Sequence, residues 1–412
     1  MVVVASSKSR SRWRSAAAAS LCAAAAWGSV AAPLEQPFRA PYVPQADAEV
    51  LQRVPAAADP KVRAMRALRR EFDADPRNLA LALRLADAYV DFGRQVGDAH
   101  YAGYAEAVIA PWLAQKPAPV ETLVVQATIL QYRHQFDAAR TLLKQVLQRD
   151  PKQGQAWLIL ATLDAVQGDY TAASHGCAQV AGTAGVTYGA ACAAALRANL
   201  GQAEQSIAML DLLARQSSGQ PAAFRAWIAG LAADSAERLG RHDAAERQYR
   251  QALALTPDDN YLQVAYADFL LGRNRPADVL ALLGTDSASD TAFLRIALAQ
   301  AALKSPDLPR YVFVMAARFA GLQQRGSDYF GREQARFALD LQHDPEGALQ
   351  IAAQNWNVQR EPPDTRVLLE AALAAQRPAA AASAIAFVER SKLQDPVIVP
   401  LADQLRALGA AR

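Results

Sequence analysis

The chain has 412 residues, of which 52% are hydrophobic and 7% aromatic, with 43 Lys and Arg side chains against 40 Asp and Glu. Abundant Ala, Leu, Gln and Arg, without alternating runs of Val, Ile and Thr, predict an all-α protein and exclude a sheet fold. Charges of both signs are interspersed, so the net charge of +3 gives no indication of nucleic-acid binding.

Residues 1–31 are typical of a secretory signal peptide, with cleavage expected near Ala31. Four cations precede an apolar run over residues 16–26: Lys8, Arg10, Arg12 and Arg14. Their removal changes the net charge from +3 to about −1. The alternatives are an uncleaved anchor and an organellar transit peptide. The expected location is secreted and periplasmic.

The rest of the chain divides by composition and pattern into five parts. Six prolines between residues 32 and 60 predict a proline-rich tether over 32–59. We expect divergent helical repeats over 60–117, a regular array over 118–290, degenerate repeats over 291–395 and a capping helix over 396–412. A terminal helix is needed because the last repeat of an array otherwise exposes its apolar face.

A repeated frame of small residues carries the fold prediction. Gly168, Gly201, Gly240 and Gly272 recur at steps of 33, 39 and 32 residues. Five residues after each glycine lies a small side chain, and 12 residues before that lies another, as close helix packing requires. The pairs are Ala127/Ala139, Ala161/Ala173, Ala194/Ser206, Ala233/Ala245 and Ala265/Ala277, with a weaker match at Ala335/Gly347. The frame predicts about nine antiparallel helical hairpins.

At these residues the chain resembles the tetratricopeptide repeat, a helix-turn-helix unit of 34 residues. Residues 226–257 fit best, with Ala233, Gly240, Ala245, Tyr249 and Pro257 at the expected positions. The resemblance implies a right-handed α-solenoid, a superhelix whose first helices line a concave groove. It also implies that a peptide or helix of a partner protein binds in this groove.

The groove residues follow from the resemblance, position by position. The implied set is aromatic and polar: Tyr132, Gln131, Thr128, Leu158, Thr162, Tyr188, Asn199, Trp227, Asp234, Arg238, Tyr266 and Phe269. Tyr and Trp are effective anchors in protein interfaces. For Phe269 the alternative is packing between helices.

Cys177 and Cys192 are the two cysteines that remain after cleavage of the leader. In an oxidising compartment they are a disulfide candidate, and two reduced core thiols are the alternative.

No catalytic motif occurs in the sequence: it has no GxSxG, HExxH, P-loop or GxGxxG pattern, and its five histidines are scattered. We therefore expect no enzyme activity, no metal and no cofactor.

The first hypothesis is a non-catalytic scaffold for protein partners in envelope assembly, secretion or transport, with no nucleic acid and no membrane insertion after leader cleavage. The alternative is a dedicated accessory subunit of an envelope enzyme or export system, for glycan synthesis or export or for cytochrome maturation. The partner and the oligomeric state stay open.

Overall fold

Twenty α-helices, and no strand, make up the part of the chain described by the structure, a computed structural model covering residues 60–324 and 331–410. The predicted signal peptide and tether lie outside these residues. The helices are α1 Pro60–Ala74, α2 Leu79–Val96, α3 His100–Leu113, α4 Val120–Tyr132, α5 Phe136–Arg149, α6 Gly154–Val166, α7 Tyr170–Thr183, α8 Val186–Asn199, α9 Ala203–Gln216, α10 Ala222–Arg238, α11 His242–Leu255, α12 Asn260–Gly272, α13 Pro276–Leu283, α14 Asp290–Ala302, α15 Leu308–Gln324, α16 Gly331–Asp340, α17 Pro345–Trp356, α18 Pro362–Ala374, α19 Ala382–Ser391 and α20 Ile398–Ala410. A 3-10 helix, Pro378–Ala381, precedes α19.

Helices α2 to α19 pack as nine consecutive antiparallel hairpins within the described residues. Helix α1 packs on the first hairpin, and α20 packs on α18 and the 3-10 helix at the other end. The all-α solenoid, the number of hairpins and the terminal capping helix are thus confirmed.

Helix starts are encoded locally by polar caps and prolines. Asp169 accepts a hydrogen bond from the amide of Ala172 at 3.0 Å, and Asp259 accepts one from Leu262 at 3.1 Å. Such caps satisfy amides that have no partner inside the helix. Pro345 is the first residue of α17, where a missing N–H costs nothing.

The 12-residue spacing of small residues marks the helix crossings, and four of the five regular pairs are buried as predicted. The residues from Ala127/Ala139 through Ala233/Ala245 are between 0% and 2% exposed. Each of these four hairpins turns through one residue with positive φ, which lies seven positions after the first small residue; in α10–α11 this is Gly240, with φ +67°. Small side chains at the crossing let the two helices approach closely.

The predicted fifth pair, Ala265/Ala277, is wrong by two residues. The left-handed turn residue is Asn274, with φ +55°, and not Gly272. The buried pair is therefore two residues later, Ala267 and Val279, both 0% exposed. The weaker pair is also displaced, because Ala348 rather than Gly347 is fully buried opposite Ala335.

Cys177 on α7 and Cys192 on α8 form a disulfide, with their Cα atoms 5.5 Å apart. The two helices belong to neighbouring hairpins and approach closely, since a Cβ on Gly189 would overlap Ala181. The bond therefore joins two repeats.

The array coils back on itself, so that hairpins far apart in sequence touch. The turns after α2, α4, α6 and α8 lie against loops and helices of the last third of the chain. The contacts pair Gly97 with Ser289, His134 with Gln359, Gly168 with Phe387, and Gly201 with Lys392. We call this line of contacts the seam.

Candidate functional site

The inner face of the solenoid is formed by the even-numbered helices. Neighbouring helices of this set touch directly from α2 to α10 and again from α12 to α18, whereas among the described residues the odd-numbered helices make no comparable mutual contacts. In a curved two-layer stack the helices of the inner layer are closest together. The even-numbered helices therefore line the concave side, as expected for a solenoid of this type.

The corrected frame changes which residues of α12 face inward. Tyr266 and Phe269 are 7% and 5% exposed. The Tyr266 ring stacks on that of Tyr249, 5.5 Å away, and its hydroxyl donates to Glu246 Oε1 at 3.0 Å. In this structure both residues pack between helices, which corrects their expected place in the groove. Tyr261 and Asp268 hold the inward positions instead.

The other expected groove residues have varied surroundings. Thr162 is exposed, and Thr128, Gln131, Leu158 and Asn199 are half-buried. The hydroxyls of Thr128 and Thr162 donate to carbonyls of their own helices, at 3.0 and 2.9 Å. These five residues are therefore accessible or partly accessible from the inner side.

The three aromatic groove residues predicted on the earlier hairpins each pack against a hydrophobic core. Tyr132 packs against the core formed by the first helices. The rings of Tyr188 and Trp227 lie 4.6 and 5.8 Å from that of Phe224, so both residues contact the same side chain. Phe224 is buried, and Tyr188 and Trp227 are half-buried.

Asp234 and Arg238 are also brought together, as an ion pair within α10. The Arg238 Nη2 and the Asp234 Oδ2 atoms are 3.0 Å apart, and Arg238 is 7% exposed. The pair forms one edge of a larger group of charged residues on the inner face. We call this group the inner cluster, and its members are Asp234, Glu237 and Arg238 on α10, Tyr261 and Asp268 on α12, Arg332 and Arg336 on α16, and Glu361 and Asp364 at the start of α18.

Tyr261 stands at the centre of the inner cluster. Its side chain is 77% exposed. Even so, partial loss of hydration, followed by the negative charges of Glu361 and Asp234, raises the pKa of its hydroxyl above the ordinary value. The positive charges of Arg332 and Arg238 act in the opposite direction. A side chain that is open to water and lies near three other helices, α10, α16 and α18, belongs to a concave surface.

Asp268 holds two arginines from different helices. Arg295 Nη2 lies 2.6 Å from Asp268 Oδ2, and the Arg336 guanidinium donates to Oδ1. Burial alone would raise the pKa of Asp268, but the two guanidinium groups outweigh it and hold the pKa well below its usual range. The carboxylate thus ties α12 to α14 and α16.

Glu237 is the member of the cluster that titrates near neutrality. Burial is the main cause that raises its pKa to about 8, and the nearby charges of Asp234 and Asp268 act in the same direction. Tyr249 donates a hydrogen bond to its carboxyl group. The group is therefore largely protonated at pH 7.

A chain of hydrogen bonds connects the inner cluster to the seam. Arg332 donates to Asp364 at 2.7 Å, and the amide of Asn355 donates to the same carboxylate at 2.8 Å. Gln359 donates to Asn355 Oδ1 at 3.2 Å and to Nδ1 of His134 at 3.0 Å. Burial and the charge of Arg332 lower the pKa of His134 to about 4, so its ring is neutral and can accept.

One feature of the sequence indicates the two inward residues, Tyr261 and Asp268, that the repeat frame does not predict. Pro276 is the first residue of α13, the position at which proline is best tolerated in a helix. In the four hairpins from α4–α5 to α10–α11, as with Gly240 before His242, the turn residue lies two positions before the second helix. Counting back from Pro276 gives Asn274 as the turn, and hence Tyr261 and Asp268 as inward residues.

Within the described ranges, no group of three or more His, Cys, Asp or Glu side chains is placed to hold a metal ion. No described helix combines the length and apolar character needed to cross a bilayer.

A comparison with sequence profiles of known families agrees with the repeat architecture. Residues 124–174 and 231–283 match the sequence profile of the tetratricopeptide repeat. No curated protein matches the chain significantly in sequence. Among solved structures, yeast Tom70 is similar at 10% identity, with a TM-score of 0.37, over 85% of this chain and 86% of that one. The P58(IPK) TPR domain is similar at 14% identity, with a TM-score of 0.21, over 86% and 95% of the two chains.

The chain is thus an α-solenoid in which two segments match the tetratricopeptide repeat. The two matched segments span α4 to the start of α7 and the end of α10 to α13. They include the hairpins that carry Thr128, Leu158, Asp234 and Tyr261.

Proposed function

We propose that this protein is a non-catalytic scaffold that binds a segment of a partner protein on its inner face. The observation that carries the proposal is Tyr261, an aromatic side chain 77% exposed on a concave surface and surrounded by charged groups of three other helices. A tyrosine ring offers a large contact area at low conformational cost, and its hydroxyl can pair with a peptide.

The inner face around Tyr261 favours a polar segment with an apolar anchor. The acids Asp234, Glu361 and Asp268 are already paired with arginines, so they offer directed acceptors without a strong net field. Half-buried Leu158 and Trp227 lie on the same layer of helices and supply apolar area. A groove of this composition suits an extended or helical peptide.

Site-specific photo-crosslinking in cells tests the proposal. A photoreactive phenylalanine replaces Tyr261, and the matched control carries it at Phe313, which is 64% exposed on α15 in the outer layer. We expect one prominent protein adduct at position 261 and none of the same mass at 313. Tyr261→Ala should weaken capture by a probe placed at Leu158. Equal adducts at both positions, or none at 261, would contradict the assignment of the inner face.

We further propose that the scaffold works in a bacterial envelope, after cleavage of the leader near Ala31. The basic and apolar pattern of residues 8–26 supports this proposal. Amino-terminal sequencing of the protein from a periplasmic fraction should begin close to residue 32. Protein that retains Met1 and remains in the membrane fraction would indicate an anchor instead. The identity of the crosslinked partner then distinguishes a general scaffold from a dedicated subunit of one enzyme or export system.

A further inference from the structure

We infer that the seam is a clasp: the superhelix opens along it, and opening gives a partner access to the inner face. The mechanical part of this inference concerns the fold alone, whereas its consequence for a partner rests on the proposed function.

The composition of the seam distinguishes it from the contacts between consecutive helices. Arg360 N–H donates to the carbonyl of Val166 at 2.7 Å, and the amide of Ala203 donates to Gln394 at 3.3 Å. Its apolar part is at Tyr170, which packs against the core that contains Phe387, with the two rings 5.7 Å apart. The contacts at Gly97, His134 and Gly201 are made with polar groups, and contacts that bury few apolar side chains open before packed helices do.

The seam is also connected to the surface that it would uncover. Gln359 contacts His134 across the seam, and through Asn355 it reaches Asp364, which holds Arg332 of the inner cluster. A buried network of this kind is stable only when each member keeps its partners. Loss of the Gln359 contact should therefore loosen the position of Arg332 beside Tyr261.

Two glycines give a matched pair of variants for testing the clasp. Gly201 has φ +68° and Gly240 has φ +67°, so alanine strains the backbone equally at both turns. A Cβ on Gly201 would overlap the carbonyl oxygen of Lys392 across the seam. A Cβ on Gly240 would have no heavy atom within 4 Å. The difference between the two variants therefore isolates the seam.

The measurement is the rate at which a thiol on the inner face reacts with a bulky polyethylene-glycol maleimide. Tyr261→Cys supplies the thiol in a full-length Cys22→Ser background, with Cys177 and Cys192 left oxidised. We expect labelling of the Gly201→Ala variant to be at least about tenfold faster than that of Gly240→Ala, since ~1.4 kcal/mol changes a population tenfold. Phe313→Cys on the outer layer should react at the same rate in both.

A second pair covers the case in which Gly201→Ala does not fold. Gln359→Ala removes the side chain that contacts His134, and Gln354→Ala, at an exposed position of α17, is its control. Hydrogen exchange should show lost protection of the Arg360 and Ala203 amides in the Gln359→Ala variant only. Equal labelling and equal exchange in each pair would overturn the clasp.

The outcomes separate the clasp from the proposed function. Labelling and exchange need no partner, so they decide the clasp alone. If the seam opens but crosslinking at position 261 captures no partner, the clasp stands and the scaffold proposal fails. If crosslinking captures one partner and the seam variants behave like their controls, the scaffold stands and the clasp fails.

Discussion

The hairpins of the first and second halves of the array turn through the same backbone conformation with different residues. In the first half the left-handed residues are Gly97, His134, Gly168, Gly201 and Gly240, whereas in the second half they are Asn274, Lys304, His343 and Gln376. Glycine reaches this conformation at no steric cost, and other residues pay for it. Since other residues take this conformation in the second half, the glycines of the first half need a separate explanation.

Contacts across the seam explain most of these glycines. A Cβ on Gly97, Gly168 or Gly201 would overlap atoms of the last third of the chain. At His134 the side chain is itself a seam contact, through Gln359. The turn residues of the second half are all exposed. Gly240 is the exception, since nothing lies near its Cβ position. Glycine is therefore needed at these turns mainly because it allows close contact across the seam, and less because of the turn conformation.

The two halves also differ in how ion pairs join neighbouring repeats. In the first half a carboxylate pairs with one arginine, as Asp164 on α6 does with Arg140 on α5. In the second half one carboxylate can hold two arginines from different helices, as Asp268 does for Arg295 and Arg336. Four predictions test this difference, in order of expected effect.

Asp268→Ala should have the largest effect on stability. Arg295 has a side chain only 4% exposed, and the substitution removes its main counter-charge. Breaking one partner out of a buried ion pair typically costs about 3–5 kcal/mol. We expect a loss of that size in the free energy of unfolding, measured with urea.

The control is Asp73→Ala, which removes the exposed partner of Arg69 on α1. Exposed pairs contribute at most about 1 kcal/mol, so the control should remain close to the wild type. If both variants lose the same small amount, the second half does not depend on its buried ion pairs, and the contrast with the first half disappears.

The disulfide between Cys177 and Cys192 should have the next largest effect, in the first half. The cysteines are 15 residues apart in sequence, and closing a loop of this length contributes about 3 kcal/mol in the chain-entropy model. Replacing both with alanine should lower the free energy of unfolding by about that amount. A reductant should destabilise the wild type equally and leave the variant unchanged.

Mass spectrometry of a non-reducing digest checks the chemistry directly. The wild type should yield a peptide that links Cys177 to Cys192. Two free thiols would instead support the reduced alternative, in which both side chains simply fill small spaces between α7 and α8.

The pH dependence of stability tests Glu237, which lies where the two halves meet on the inner face. Its pKa is raised from about 4.5 to about 8, mainly by burial. Between these values the native state binds more protons than the unfolded chain, so stability falls as pH rises through this window. A full shift would correspond to several kcal/mol at about 1.4 kcal/mol per pKa unit, and partial solvent exposure reduces this to about 2 kcal/mol.

Glu237→Gln keeps an acceptor for the Tyr249 hydroxyl and removes the ionisation. The variant should therefore gain about 2 kcal/mol relative to the wild type between pH 5 and pH 8, in urea unfolding at each pH. Parallel pH profiles for the two proteins would show that Glu237 is ionised in the native state as it is in the unfolded chain.

The fold was predictable because its signal is local and repeated. Helix formers, glycines at turns and small residues 12 apart each report on one hairpin, as Ala233 and Ala245 do on either side of Gly240. The predicted frame is wrong at α12 because Asn274, and not a glycine, takes the left-handed conformation of the turn, and Gly272 lies two residues away at the end of the helix. Because of this two-residue error, the frame predicts Tyr266 as a groove residue and does not predict Tyr261.

The seam and the inner cluster could not be predicted from the sequence, for a different reason. Gln359 and His134 are 225 positions apart, and neither residue carries a pattern that names the other. Their meeting depends on the small rotation that each repeat adds, summed over several hairpins. Local spacing specifies each hairpin, but it does not specify where the array meets itself.

Lys304→Gly tests the comparison of the two kinds of turn at its smallest scale. Lys304 has φ +53° and is exposed. Relief of the left-handed strain is worth ~1–2 kcal/mol, and the greater freedom of glycine in the unfolded chain costs ~0.5–1 kcal/mol. The variant should gain about 0.5 kcal/mol in urea unfolding, as the difference of these terms. The reverse substitution, Gly240→Ala, should lose a similar amount, because a Cβ there would have no heavy atom within 4 Å. If Lys304→Gly destabilises the protein, the lysine stabilises its turn in a way that exposure does not reveal, and glycine in the first half then needs no explanation from the seam.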